Sequence, residues 1–392
     1  MKIAQVAPLY ESCPPRLYGG TERIVSFLTE ELVRQGHDVT LFASGDSRTR
    51  ARLRPFCDTA LRLDPGVRDP VARHVVMLDS VKEAADDFDV LHYHVDVLHY
   101  PTIRQFMHRT VTTLHGRLDL AELRPLYSRF SDAPFVSISN DQRRPMPRVN
   151  WAGTVYHGLP RDLLPFSPEP KGGYLAFLGR ISPEKGPERA IEIAARAGAK
   201  FKIAAKIDKA DQEYWDDVVK PLVDAHANVE FVGEIGDAEK AQFLGDAAAV
   251  LFPIDWPEPF GIVMIEAMAC GTPVIAFRKG STPEVIDPGI SGYLVDNVDQ
   301  AVEAVRGIGD FDRRKARACF ERRFTIERVA RDYLGIYRDL LDKAEAHRER
   351  PRTRLQLAVT NPIPGLPIRR NGAALPPRLH VFDRPNAAPS KD

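Results

Sequence analysis

The chain alternates short, almost wholly apolar runs with longer amphipathic stretches, and this alternation constrains its fold more than any other feature. Val39–Ala43 and Val250–Pro253 are typical of the short runs. Thr21–Arg34 is typical of the longer stretches, because its apolar residues recur every three or four positions, as on one face of a helix. Strands that are apolar along their whole length belong to parallel sheets that helices cover on both faces. The sequence therefore predicts an α/β protein.

The alternation runs through the chain twice, and a proline-rich segment with two adjacent glycines, 157–174, separates the two series. The first series predicts strands at Ile3–Pro8, Val39–Ala43, Val90–His94, Val111–Leu114, Phe135–Ser139 and Thr154–Tyr156. The second series predicts strands at Tyr174–Leu178, Phe201–Ala205, Val229–Val232, Val250–Pro253, Val274–Phe277 and Tyr293–Val295. We therefore predict two doubly wound, Rossmann-like domains, 1–165 and 166–325, that face each other across a cleft. A long amphipathic helix is predicted at 326–343.

Composition narrows the class of protein further. The 392 residues suit two domains, and the net charge of zero argues against a protein dedicated to nucleic-acid binding. Four scattered cysteines without a C-x-x-C pair argue against a disulfide framework and against a cysteine zinc site. The sequence begins without a secretory signal pattern, and no apolar run approaches the roughly 20 residues that span a bilayer. We therefore expect a cytoplasmic protein.

The end of the sequence differs in composition from the rest. Residues 346–392 carry nine Lys or Arg, three Asp or Glu, eight prolines and a single aromatic residue. Such a segment cannot bury enough apolar surface to offset the entropy of ordering it, so we predict that 344–392 is an extended or disordered tail. Its basic charge leaves open a peripheral contact with a membrane or a partner. The alternating arginines between positions 48 and 54 predict a solvated loop, with a surface for an anionic acceptor or membrane as the alternative.

Ligands of open α/β sheets bind at the carboxyl ends of the strands, so the turns after the strands are where chemistry is expected. The turn at 18–22 (YGGTE) pairs two glycines with a helix start, which suits a phosphate but, taken alone, equally suits a plain flexible loop. The turn at 179–186 (GRISPEKG) carries Arg180 and Lys185, two cations that suit a diphosphate or an exposed surface. Neither turn has the G-x-G-x-x-G pattern of dinucleotide-binding oxidoreductases, and no P-loop pattern occurs.

The turn between Asp255 and Val274 is the most informative. Prolines on both sides of Glu258 hold that residue in a loop, and a helix can begin near Phe260 with its free N–H groups turned towards the cleft. Glu266 lies inside this helix among apolar neighbours, where a carboxylate is costly unless it has partners. Helical side chains lean towards the N-terminus of their helix, so Glu266 can reach hydroxyl groups in the cleft.

These motifs resemble the donor site of the family 4 glycosyltransferases, which are retaining enzymes with the GT-B fold. Segment 258–295 is similar to the family's signature of two glutamates separated by seven residues, which Glu258 and Glu266 match. The sequence at 179–186 resembles the family's Arg/Lys clamp for a diphosphate. The sequence at 18–22 resembles its N-terminal glycine-rich loop.

The resemblance extends over about residues 1–343. The sequence at 113–116 (TLHG) resembles the strand end that brings a histidine to the donor sugar, and 157–166 resembles the linker between the domains. Two positions depart from the family pattern. Gly116 stands where relatives often have an acidic residue, and Ser281 replaces one of two common glycines.

The resemblance implies a role for each matching residue. Arg180 and Lys185 would hold the donor diphosphate, Glu258 would contact the transferred sugar, Glu266 would bind the ribose, and His115 would lie near the sugar. The other residues implied to surround the donor are Gly19, Gly20, Gly233, Glu234, Ile235, Phe260, Gly261 and Ile262. No metal or other cofactor is implied, because the two cations take the role that Mg²⁺ often has.

The resemblance also implies an activity, namely transfer of a hexosyl group from a nucleotide-diphosphate sugar to an acceptor hydroxyl with retention of configuration. A UDP- or GDP-sugar is the expected donor. The helix at 326–343 would cross back onto the first domain. The acceptor, a glycan, a lipid-linked molecule or a small molecule, would meet N-terminal loops such as 44–70 and 116–132, which have no interpretable motif. Two alternatives are a GT-B sugar-nucleotide epimerase and a non-enzymatic sugar-nucleotide-binding protein.

Three histidines leave a metal site as a minor alternative. His92 and His94 lie on one face of a predicted strand, because strand side chains alternate, and His99 follows closely. No carboxylate at ligand spacing completes an enclosed site, although Asp96 is near. We therefore predict hydrogen-bonded positions for these rings, in the cleft or in the core.

Overall fold

The structure, a computed structural model, describes residues 1–16, 19–146 and 148–349. Tyr18 of the first glycine turn and residues 350–392 of the predicted tail lie outside these ranges. Two parallel sheets, one of seven strands and one of six, organise the described residues. The predicted α/β class is therefore confirmed.

The first sheet comes from the first part of the chain. Its strands are Lys2–Val6 (β1), Asp38–Ala43 (β2), Arg52–Pro55 (β3), Val90–Tyr93 (β4), Thr110–Thr113 (β5), Phe135–Ser137 (β6) and Trp151–Thr154 (β7). They pair in parallel in the order β3-β2-β1-β4-β5-β6-β7. The strand order therefore reverses between β1 and β4, and a crevice opens at the carboxyl ends of such a pair.

The second sheet repeats this arrangement. Its strands are Tyr174–Arg180 (β8), Lys200–Lys206 (β9), Val229–Gly233 (β10), Ala247–Phe252 (β11), Val274–Phe277 (β12) and Gly292–Val295 (β13). They pair in parallel in the order β10-β9-β8-β11-β12-β13. Since β8 and β11 are neighbours, the turns that follow them lie side by side. These are the turns that carry Arg180, Lys185 and Glu258.

Helices cover both faces of the sheets. They are Gly20–Arg34 (α1), Pro70–Glu83 (α2), Leu123–Arg129 (α3), Pro187–Ala197 (α4), Gln212–Tyr214 (α5), Lys220–Ala225 (α6), Asp237–Gly245 (α7), Ile262–Ala269 (α8), Thr282–Val285 (α9), Val298–Arg306 (α10), Arg313–Arg323 (α11) and Ile326–Glu349 (α12). Two neighbouring residues of β4 show the layering, because Val90 packs in one apolar cluster with α12 and Leu91 packs in another with α2. Within the described ranges, no helix is both long enough and apolar enough to cross a bilayer.

The last helix completes the core of the first sheet. Tyr333 and Tyr337 of α12 are buried in one cluster with Ile3 of β1 and Val90 of β4. The chain reaches α12 alongside the segment that leaves β7, because the N–H of Ile326 donates to the carbonyl of Leu159 at 2.9 Å. The segment that leaves the first domain and the segment that returns to it therefore lie side by side.

Several boundaries differ from the predictions. The arginine-rich stretch is not a loop throughout, since β3 forms there beside β2 at the edge of the first sheet and exposes Arg52. Helix α3 occupies part of the segment 116–132. Helix α12 continues to Glu349 rather than ending at 343, and the sequence contains no proline before Pro351 that would stop it.

Candidate functional site

A cavity of about 620 Å³ lies between the carboxyl ends of the two sheets, and residues of both sheets line it. Of the residues that the sequence assigns to a donor site, all except Gly233 line this cavity. Gly233 instead forms the end of β10, while the next two residues, Glu234 and Ile235, reach the cavity wall. The structure therefore brings together side chains that are far apart in the sequence.

The glycine turn of the first domain meets the start of α8 in the second. A side chain at Gly20 would place its first carbon 3.6 Å from Cδ1 of Ile262, an ordinary van der Waals distance, so the two turns are direct neighbours. Helix α8 begins at Ile262 rather than near Phe260, because Gly261 has a φ of 78°, a left-handed value that interrupts the helix. The free N–H groups of α8 therefore start at the edge of the cavity.

The loop that carries Glu258 is fixed by the two residues that precede α9. The backbone of Gly280 approaches so closely that a side chain there would lie 2.4 Å from the nitrogen of Glu258. The N–H of Ser281 donates to the carbonyl of Glu258 at 3.0 Å, and its hydroxyl donates to the carbonyl of Phe260 at 2.9 Å. The serine that departs from the family pattern therefore adds a side-chain hydrogen bond that a glycine cannot make.

Lys185 and Glu258 are direct partners in the cavity. Their side chains form an ion pair, and the indole N–H of Trp256 donates to the same carboxylate at 3.0 Å. The Lys185 ammonium also lies 5.1 Å from the centre of the Trp256 ring, within the range of a cation–π contact. The cation and the carboxylate are therefore held at one point, where an anion and a hydroxyl group of the same ligand could meet them.

Arg180 lies at the end of β8 and is surrounded by acidic groups. Its guanidinium donates to Glu184 at 2.8 Å and lies 3.7 Å from Asp211 and 3.8 Å from Asp208. The two aspartates follow β9, and no pattern in the sequence indicates that they lie near Arg180. An anionic ligand must therefore compete with these carboxylates for the guanidinium.

Glu266 has a partner that the sequence did not reveal. This carboxylate is only 3% exposed, and the Lys240 ammonium of α7 donates to it at 2.8 Å. Lys240 also lies 3.6 Å from Asp237, which forms an ion pair with Arg23 of α1. A row of alternating charges therefore crosses from the second domain to the first.

Neutral histidines form the opposite wall. His115 Nε2 lies 2.9 Å from Nδ1 of His94, and its ring stacks on that of His157 at a centroid distance of 5.3 Å. Burial lowers the pKa of His115 to about 3. Burial, assisted by the neighbouring rings, also holds the pKa values of His94 and His157 well below the ordinary value. These rings are therefore uncharged at neutral pH.

The other two histidines considered for a metal site make hydrogen bonds with hydroxyl groups. His92 lies 2.8 Å from the Thr113 hydroxyl and 2.7 Å from the Tyr337 hydroxyl. His99 Nε2 lies 2.7 Å from the Thr112 hydroxyl. These contacts agree with the prediction that both rings are hydrogen-bonded.

Asp96 is a further residue of this wall that the sequence did not single out as functional. Its side chain opens onto the cavity, and its φ of 49° is the only positive value among the non-glycine residues that the structure describes. Desolvation of its carboxyl group raises the pKa of Asp96 to about 6, and a hydrogen bond from the backbone of His115 opposes that rise. Strained, titratable residues in a cavity are frequent at functional sites.

Two family models match the chain. The model described as Glycosyltransferase Family 4 covers residues 18–152, and the model described as Glycosyl transferases group 1 covers residues 165–316. Among curated proteins, the phosphatidyl-myo-inositol mannosyltransferase of Mycolicibacterium smegmatis is 26% identical over 351 residues. That match covers 81% of this chain and 86% of the relative.

Solved structures share the fold. AviGT4, a glycosyltransferase involved in avilamycin A biosynthesis, matches with a TM-score of 0.67 at 22% identity, over 87% of this chain and 98% of its own. Alr3699/HepE from Anabaena, solved in complex with UDP-glucose, matches with a TM-score of 0.66 at 18% identity, over 88% of this chain and 100% of its own. The predicted two-domain GT-B fold is therefore confirmed.

Proposed function

This chain belongs to the family 4 glycosyltransferases, and from that premise we propose that it transfers a hexosyl group from a nucleotide-diphosphate sugar to an acceptor hydroxyl with retention of configuration. One observation carries the proposal. The two cations Arg180 and Lys185 and the two carboxylates Glu258 and Glu266 line one cavity, with His115 on its opposite side. A donor that joins a diphosphate to two hydroxyl-rich sugars matches this combination of groups.

In the proposed reaction, the anomeric carbon of the donor sugar loses its bond to the diphosphate and forms a bond to the acceptor oxygen on the same face, while the acceptor hydroxyl gives its proton to an oxygen of the leaving diphosphate. The diphosphate keeps the electron pair of the broken bond, so its negative charge grows as it leaves. Arg180 and Lys185 stabilise that charge, and preorganised donors of this kind contribute about 2–4 kcal/mol each to the transition state.

The carboxylates bind the two sugars in this proposal. Glu258 accepts hydrogen bonds from the transferred sugar while its ion-pair partner, Lys185, turns to the phosphate. Glu266, which Lys240 orients, accepts hydrogen bonds from the ribose. The two-lobed cavity surrounds the donor and limits its hydrolysis by excluding water. We expect the reaction to proceed in EDTA, because two side-chain cations stand where a metal ion would otherwise neutralise the diphosphate.

The relatives guide the choice of substrates for the test. HepE binds UDP-glucose, and the mycobacterial relative is named for a mannosyl donor and an inositol lipid acceptor. We propose UDP-glucose and GDP-mannose as the first donors, and phosphatidylinositol, free inositol and simple glycosides as the first acceptors.

The experiment is an incubation of the purified chain with UDP-, GDP- and ADP-sugars and these acceptors, followed by mass spectrometry of the products. A glycoside together with free nucleoside diphosphate supports the proposal, and its anomeric configuration by NMR tests retention. An isomerised sugar nucleotide would indicate an epimerase instead. Nucleotide binding by calorimetry without any turnover would indicate a binding protein.

A further inference from the structure

A chain of buried hydrogen bonds links His115, at the cavity, to the last helix. His115 Nε2 lies 2.9 Å from Nδ1 of His94, and His94 Nε2 lies 2.8 Å from Oε1 of Gln5 in β1. The Gln5 amide nitrogen lies 3.3 Å from the Tyr337 hydroxyl and 3.4 Å from Nδ1 of His92. Gln5, His92 and Tyr337 are fully buried, and His94 is 1% exposed.

The direction of these hydrogen bonds follows from the chemistry of Gln5. Its Oε1 can only accept, so the hydrogen of the neutral His94 ring is on Nε2. Nδ1 of His94 then has a lone pair and accepts a hydrogen bond from Nε2–H of His115. Since the His115 ring is also neutral, its Nδ1 carries no hydrogen. One amide oxygen therefore determines the tautomers of two rings.

The contacts at the other end of the chain agree with this orientation of the Gln5 amide. The Gln5 amide nitrogen donates to the Tyr337 hydroxyl at 3.3 Å, which leaves the hydrogen of that hydroxyl for Nδ1 of His92, 2.7 Å away. Nε2–H of His92 donates to the Thr113 hydroxyl at 2.8 Å. A rotated amide would instead turn its N–H groups towards His94 and would reverse the tautomers of both rings.

His115 Nδ1 is the open end of this chain. The atom is covered by protein and has no hydrogen-bond partner within the described residues, although the ring lines the cavity. A buried acceptor without a partner is costly, so this lone pair favours a ligand that brings a hydroxyl hydrogen. The transferred sugar offers such groups.

We propose that Gln5, acting through His94, fixes His115 in the Nε2–H tautomer, so that His115 Nδ1 accepts a hydrogen bond from a hydroxyl of the transferred sugar. Gln5 is then a positioning residue that never touches the substrate. The inference rests on the proposed function, and it adds a residue that controls the chemical character of the sugar-facing wall. In the opposite tautomer, Nδ1 would carry the hydrogen and would donate it, so it would favour a ligand atom that accepts a hydrogen bond.

The first test is the tautomer itself. Nitrogen-15 NMR of the full chain with labelled histidine distinguishes Nε2–H from Nδ1–H rings without any substrate. We expect Nε2–H for both His94 and His115. An Nδ1–H form of His115 in the wild-type protein would overturn the inference. This measurement needs no turnover, so it decides the inference separately from the proposed function.

The second test uses variants of Gln5. Gln5→Met keeps a similar length but removes the amide, and we expect kcat to fall about ten-fold, the value of one hydrogen bond, with a mixture of His115 tautomers. The KM for the donor and the calorimetric Kd of the nucleoside diphosphate should stay within about two-fold, because the diphosphate contacts are on the other wall. Unchanged kcat, or an equal loss of nucleotide affinity, would contradict the positioning role.

Two further variants separate positioning from general disruption. Gln5→Glu still accepts from His94, so it should restore most of kcat at pH 8 and, by favouring charged imidazole, make activity fall at a higher pH than in the wild type. Thr112→Val removes an equally buried hydroxyl that bonds His99, outside the chain of hydrogen bonds, and it should leave kcat and the His115 signals unchanged. The same loss in Thr112→Val as in Gln5→Met would refute the inference.

Discussion

The two walls of the cavity differ in the kind of polar group that they present to a ligand. The wall from the second domain carries charges in ion pairs, such as Lys185 with Glu258 and Lys240 with Glu266. The wall from the first domain carries neutral rings in a hydrogen-bonded chain, among them His94 and His115. A diphosphate requires charge, whereas a sugar requires oriented donors and acceptors. The difference teaches that one cavity can keep the two kinds of recognition apart.

The walls also differ in their response to pH. Burial holds the pKa values of His94, His115 and His157 below the ordinary value, so the folded protein keeps these rings neutral in mild acid. The unfolded chain protonates the same rings at about pH 6.5, so acid below that value favours unfolding. Asp96 is the exception on this wall, because its pKa of about 6 lies within the working range.

Removing a clamp cation should have the largest effect. We expect Lys185→Ala to lower kcat by at least about 100-fold while the protein stays folded, because it removes a charge that stabilises the leaving group. Lys202→Ala is the matched control, since this lysine pairs with Glu230 on the surface of the same domain. Near-normal turnover in Lys185→Ala would contradict the claim that the wall from the second domain acts through its charges.

Glu266→Gln should mainly affect binding. The variant loses a charged acceptor for the ribose and leaves Lys240 without its closest carboxylate, so we expect nucleotide affinity to fall about ten-fold. Titration calorimetry with nucleoside diphosphates measures the change, and Glu230→Gln, an exposed surface position, is the control. An unchanged Kd would show that the ribose lies elsewhere.

Asp96→Asn should change a pH profile by a smaller amount. In the wild type, the carboxylate is protonated below about pH 6, so kcat/KM should fall as the pH drops through that value. Asparagine tolerates the positive φ and still accepts from the His115 backbone, but it does not titrate, so we expect a flat profile and a loss of about five-fold at pH 8. The exposed Asp132→Asn should keep the wild-type profile, and a fall of kcat/KM near pH 6 that persists in Asp96→Asn would show that another group causes it.

Ser281→Ala should have the smallest effect. It removes the hydroxyl that donates to the carbonyl of Phe260, so we expect the free energy of unfolding to fall by about 1 kcal/mol, as measured by urea denaturation, and kcat to fall about three-fold. If Ser281→Ala lowered kcat as much as Lys185→Ala does, the position of the loop would matter more for catalysis at this wall than the charge of Lys185.

The charged wall could largely be predicted from the sequence, because its residues lie in short motifs with glycines and prolines nearby. Lys240 could not be predicted as the partner of Glu266, because its position depends on how α7 packs against α8. On the neutral wall, the sequence predicted His115 near the sugar and His94 as a hydrogen-bonded ring in the cleft or the core, but it did not predict their link to Gln5. Gln5 pairs with His94 across 89 positions and with Tyr337 across 332 positions, and no local pattern encodes such contacts.

The sequence predicted the buried strands better than it predicted helix α2 and the edge strand β3. Buried parallel strands are apolar throughout, so they stand out from the sequence. Helix α2 was not predicted, and three of its valines, Val71, Val75 and Val76, are exposed, which obscures the usual division into an apolar and a polar face. Strand β3 carries alternating arginines, since an edge strand needs little apolar surface.

The packing of α12 against β1 has a consequence for synthesis. Strand β1 is made long before α12, yet its Ile3 shares a core with Tyr333 and Tyr337 of that helix. The second domain has its own sheet and is complete before α12 emerges. We therefore expect the second domain to reach its native state during translation, while the first waits, incompletely closed, until the last helix is made.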